Sequence, residues 1–134
     1  MLNTFPNLLN FSLLSPLILR VVLGLIFINL GYIELTSEKK RWAAFFEIVH
    51  LKPAMVFVIL MGLVEIIGGF FLIAGFLTQM TALVFSVITF GEFYAEYHDE
   101  TLLKRDIIFY LLIFTISISL LLFGAGLFAI DLPL

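Results

Sequence analysis

Between Ala54 and Leu77 the chain reads AMVFVILMGLVEIIGGFFLIAGFL, with one charged residue, Glu65, near the middle. About 20 consecutive apolar residues suffice for a helix to cross a bilayer. A carboxylate near the bilayer centre costs several kcal/mol unless it faces protein, water or a partner charge. A chain that keeps Glu65 at that depth is expected to fold as an assembled bundle with a packed polar interior, not as a set of inert anchors.

Composition agrees with a membrane setting. Of the 134 residues, 63% are hydrophobic and only 13% charged, with a mean hydropathy of +1.20, whereas roughly a quarter of an average soluble domain is charged. One domain, residues 1–134, is the natural division. The net charge of -3 and the lack of a basic stripe outside one loop argue against nucleic acid as a partner. Without cysteine the chain carries no thiolate nucleophile, disulfide, thiolate metal site or iron–sulfur cluster. The N-terminal stretch MLNTFPNLLNFSLLSP has no basic segment or small-residue cleavage site and is not read as a signal peptide.

Four spans are expected, at about 16–35, 54–77, 80–97 and 104–128, making an all-α, integral membrane four-helix bundle. Pro16 suits a first-turn position. Only Thr78 and Gln79 separate the second and third spans, which therefore form an antiparallel hairpin. Lys39, Lys40, Arg41 and Lys52 fall in the first loop, and Lys104 and Arg105 in the third. Positive charge marks the cytoplasmic side, so both loops are expected in the cytoplasm and both termini outside. Within the first loop Trp42, Phe45, Phe46 and Val49 recur at helical spacing, with Thr36 or Ser37 available as a cap. This predicts a short helix between the first and second spans, either interfacial or packed on the bundle.

The unusual residues of each span share a stripe: Arg20, Gly24, Phe27, Gly31 and Glu34 on the first; Gly62, Glu65 and Gly69 on the second. On the third they are Ala82, Phe85, Thr89, Glu92 and Glu96, and on the fourth Asp106, Tyr110, Ser117 and Gly124. Small residues let membrane helices approach closely and polar ones bond across the contact. The seven-residue spacing of Gly24 and Gly31, and of Gly62 and Gly69, fits a left-handed seam. Arg20 and Glu65 are expected to pair inside the bundle, since pairing lowers the desolvation cost of both. Glu34, Glu92, Glu96 and Asp106 are expected to form a carboxylate cluster at the cytoplasmic mouth, where hydrated helix ends are the simpler reading. For Glu65 a structural and a functional role stand side by side.

The residue inventory narrows the chemistry. A proton relay would use the carboxylates in depth order. A di-metal carboxylate site would need Glu-x-x-His pairs on facing helices; none exists, since His50 and His98 sit at the edge, and no metal site is expected. Haem between bundle histidines fails for the same reason. A Phe-rich bundle with a few polar groups suits a lipophilic ligand, a quinone or a lipid. No cofactor carried by the chain itself, and no catalytic machinery of its own, is expected.

LILRVVLGLIFINLGYIEL resembles the first helix of the DoxX family through Arg20, Gly24, Phe27 and Gly31. WAAFFEIVHLKPAMVFVILMGLVEIIGGFFLIAGFLTQMTAL resembles the second through Pro53, Glu65, Gly68, Gly69, Gly75 and Thr78, and GAGLFAID the closing turn through Gly124, Gly126 and Asp131. The chain departs from many members at Leu30, Glu34 and Gln79, where those carry His, Lys and Arg. The resemblance implies a four-span protein of the prokaryotic cytoplasmic membrane, some of whose relatives are small subunits of thiosulfate:quinone oxidoreductases. The expected role is an accessory or structural subunit of a larger, redox-linked complex, partnered by the bilayer and by other membrane subunits. The alternatives are a quinone-binding subunit and a small transporter or proton path.

Overall fold

The computed structural model describes residues 4–98, 106–126 and 129–130. Lys104, Arg105, Asp131 and the last residues of the expected fourth span lie outside the described residues. Those described form an all-helical protein, with no strand among them. A 3-10 helix, Pro6–Phe11, precedes α1 (Leu14–Thr36), α2 (Lys39–Ile48), α3 (Ala54–Ala74), α4 (Thr78–His98) and α5 (Ile107–Phe123). Two of these, α1 and α3, are both long and apolar enough to cross a membrane; α5 is apolar but shorter, at 17 residues.

Local chemistry sets the boundaries. Pro16 sits inside the first turn of α1, where its missing N–H is not needed. α3 stops at Gly75, which adopts φ 72°; the N–H of Gly75 donates to the Leu72 carbonyl at 3.1 Å, and that of Phe76 to the Phe71 carbonyl at 2.9 Å. This paired closure with a left-handed glycine is a common helix stop. The hairpin link is therefore Gly75–Leu77, with Thr78 already the first residue of α4, rather than Thr78 and Gln79. Gln79 instead donates from Nε2 to the Leu121 carbonyl at 3.0 Å, tying α4 to the end of α5.

Neither Thr36 nor Ser37 caps α2. α1 runs through Thr36, whose hydroxyl donates to the Tyr32 carbonyl at 2.8 Å, and Glu38 holds the position before α2. α2 closes with the Leu51 N–H on the Phe46 carbonyl at 2.9 Å and with His50 at φ 62°. A side chain in that region costs roughly 1–2 kcal/mol, partly offset in glycine by its unfolded-state freedom. His50→Gly is accordingly expected to be neutral or to stabilise by up to about 1 kcal/mol, read as a small rise in Tm; a clear loss would mean that the imidazole contributes a contact of its own.

The helices associate in two antiparallel pairs, α1 with α3 and α4 with α5, which meet along α1–α5 and α3–α4. The α1–α3 contact is a glycine seam. A Cβ on Gly24 would lie 2.6 Å from the Gly69 carbonyl oxygen, and one on Gly31 would lie 2.7 Å from the Gly62 carbonyl oxygen. Gly68 leaves room for the Phe85 ring, which stacks on Phe27 with centroids 3.7 Å apart. That stack belongs to a core with Leu23, Leu72, Ile113 and Leu120. A second core joins Trp42 and Phe46 of α2 to Ala54, Val58, Ala95 and Tyr110. α2 thus packs on the bundle through Trp42 and Phe46, while Val49 is exposed. All four long helices carry large apolar side chains outward, among them Ile18, Val22, Leu60, Phe70, Val87, Phe90 and Leu112.

Candidate functional site: a buried carboxyl layer

Between the two apolar cores lies a layer of acids. Glu65 is 0% exposed, Glu34 1%, Glu92 2% and Glu96 5%. Glu34, Glu92 and Glu96 are therefore interior groups and not hydrated helix ends. Asp106 departs from the expected cluster: it is exposed, at the position preceding α5. Glu38, not singled out from the sequence, is also buried and close enough to Glu34 for their charges to interact. Its spacing of four from Glu34 was the available signal, obscured because it falls in the turn between α1 and α2.

Helix direction explains who meets whom. Gly24 faces Gly69 and Gly31 faces Gly62, so α1 and α3 are antiparallel, with Glu65 opposite Ile28 and Arg20 opposite Ile73. Along the axis Arg20 and Glu65 are about 12 Å apart, at 1.5 Å per residue. Each Cα–Cβ bond tilts toward its own helix N-terminus. Arg20 and Glu65 therefore lean away from each other, whereas Glu34 and Glu65 lean together. The expected Arg20–Glu65 pair is not formed. Arg20 is buried at the other end, its Nη1 against the space a Gly75 side chain would fill. The Glu65 carboxyl lies instead within hydrogen-bonding reach of the Glu34 and Glu92 carboxyls.

Among the described residues no N–H or O–H donor reaches either oxygen of Glu65, nor Oε1 of Glu34. Three buried hydroxyls are committed to their own helices: Ser86 donates to the Ala82 carbonyl at 2.7 Å, Thr89 to that of Phe85 at 2.7 Å, and Ser117 to that of Ile113 at 2.9 Å. An ionised carboxylate only accepts hydrogen bonds; a protonated one also donates. A hydrogen bond among these three acids therefore requires a proton shared between them. Among the described residues no set of three or more His, Asp or Glu groups converges as metal ligands.

Six of the seven expected packing glycines sit at close contacts: Gly24, Gly31, Gly62, Gly68 and Gly69 between helices, and Gly75, which also stops α3, against Arg20 and Ala129. Gly124 is not a packing residue: it follows α5 at φ 79° and has open space where a Cβ would stand.

Residues 15–96 match the DoxX family model, a span that includes the whole glycine seam together with Arg20, Glu34, Glu65 and Glu92. The chain belongs to the DoxX family. It is a membrane protein of that family, and its two most apolar helices, α1 and α3, both fall within the matched segment. No curated protein and no solved structure matches the DoxX chain.

Proposed function

We propose that this DoxX protein is a four-span subunit of a larger, redox-linked complex in the prokaryotic cytoplasmic membrane, and that its buried carboxyl layer holds protons for that complex. One observation carries the proton reading: Glu65 is fully buried, with the carboxyls of Glu34 and Glu92 in reach and no donor on either of its oxygens. A buried acid so placed is expensive inside a membrane, and such residues commonly mark proton relays. The redox setting comes from the family likeness. The bundle's aromatic centre is occupied by its own Phe27–Phe85 stack, which favours proton holding over quinone binding there. The 21 residues of α4 and 17 of α5 rise roughly 31 and 26 Å, close to the ~30 Å hydrocarbon thickness, and both carry lipid-suited side chains outward.

Infrared spectroscopy of the purified protein tests the proton reading. A protonated-carboxyl band at neutral pH that is lost or displaced in Glu65→Gln is expected; a spectrum with every carboxyl ionised overturns it. Isolation from native membranes in mild detergent tests the assembly, with a flavin- or haem-bearing partner expected and recovery of the chain alone counting against it.

The proposed orientation puts both termini outside and the α1–α3 connection in the cytoplasm, because six of the seven basic residues fall in the two loops on that side. A cysteine at position 40 is expected to resist an impermeant maleimide on intact cells and to react after permeabilisation, while one at position 7 reacts in both. The absence of native cysteine makes the assay clean. Labelling at position 40 from outside intact cells reverses the topology.

A further inference from the structure

We infer that the Glu34–Glu65–Glu92 site exchanges protons with one side of the membrane only, the side of α2, by way of Glu38. This rests on the proton-holding reading above and adds the direction of access. From Glu65 toward α2 the interior stays acidic: Glu34 lies in hydrogen-bonding reach of it, buried Glu38 follows four residues on within electrostatic range of Glu34, and α4 contributes Glu92 and Glu96. Glu38 stands in the turn where α1 gives way to α2, next to exposed Ser37 and half-buried Lys39. Carboxyl groups in succession can pass a proton because each accepts it on one oxygen and releases it from the other.

Toward the chain termini the surroundings change. The Phe27–Phe85 stack, pressed into the notch at Gly68, and fully buried Leu23, Leu72 and Leu120 separate the acids from Arg20 and Gly75. Ser86, Thr89 and Ser117 donate to carbonyls of their own helices. A stack of two phenyl rings offers no group to carry a proton, and polar groups buried there would need partners. The layer is thus open in chemistry toward α2 and closed by an apolar plug toward the termini. The buried ionisable groups on this side are Glu34 and Glu38 from α1 and its turn, Glu92 and Glu96 from α4 and Tyr110 from α5; α2 carries Lys39, Lys40, Arg41 and Glu47, of which Lys40 and Glu47 are exposed. Arg20 belongs to the far side of the plug.

Dicyclohexylcarbodiimide reads this directly, because it crosses bilayers and reacts with protonated carboxyls in apolar surroundings, adding the acid across its C=N bond. Full-length protein is placed in vesicles of known orientation, established with the position-40 cysteine, and the pH is varied on one side at a time. Labelling of Glu65, read by peptide mass spectrometry, is expected to follow the pH on the α2 side and to ignore the other. Glu38→Gln should slow the response without changing the final extent, and Glu65→Gln should lose the label. Phe27→Ala should admit the second side; if it does not fold, the wild-type comparison stands by itself. Labelling that follows the terminal side, or both sides equally, overturns the one-sided access while leaving the proton site intact. Absence of labelling at any pH, with no protonated-carboxyl band, overturns the proton site itself.

Discussion

Gly69→Ala should destabilise the protein by about 1–3 kcal/mol, and Gly69→Leu by more, enough to part α1 from α3. The obstacle is backbone: a Cβ at this position would lie 2.6 Å from the Gly24 carbonyl oxygen and 3.2 Å from the Ile28 nitrogen. Side chains can rotate away from an added methyl group, but a facing helix backbone can only move as a unit. Moving it would also lift the Gly31–Gly62 contact, where the same clearance is 2.7 Å. Gly91→Ala serves as the control, since open space surrounds that position on α4; there alanine should be neutral or gain about 0.5–1 kcal/mol from helix preference. Thermal unfolding in detergent compares the three. A Gly69→Ala protein as stable as Gly91→Ala would mean that the helices do not meet at this seam.

A double-mutant cycle on Glu34 and Glu65 should return a coupling of at least about 1 kcal/mol, within the 0.5–3 kcal/mol range of groups in direct contact. The same cycle on Arg20 and Glu65 should be additive to within roughly 0.5 kcal/mol, as for sites more than ~7–10 Å apart. The contrast follows from the geometry: the Glu34 and Glu65 carboxyls are in hydrogen-bonding reach, while Arg20 reaches toward Gly75. Leucine substitutions, singly and in pairs, with unfolding followed at one fixed pH, provide both cycles. In Glu34→Leu the Glu65 carboxyl keeps Glu92 nearby; in the double mutant the seam becomes apolar at that level. Strong coupling of Arg20 to Glu65, with none between Glu34 and Glu65, would reverse this account of the interior.

How much of this protein was legible in its sequence depends on whether the property is carried along one helix or between two. The apolar run around Glu65, the glycines seven residues apart and the proline-led helix starts are properties of single segments, and the periodicity of 3.6 exposes them directly. The helices formed close to where these signals put them, whereas Glu92 and Glu96, more simply read as hydrated helix ends, proved to be buried. Partner choice was harder. Opposite charge suggested Arg20 for Glu65, yet in an antiparallel pair two side chains converge only when their tilts point toward each other, which selected Glu34. The burial of Glu38 and Trp42 was likewise decided in three dimensions, by the turn that folds α2 back onto α3. The sequence by itself determined a helical, membrane-suited chain with a glycine seam and acids on its inner faces, because helix formation and face composition are local. Only the tertiary structure decided that those acids are buried together and that the Phe27–Phe85 stack fills the neighbouring core, because both follow from the direction and register in which the helices meet.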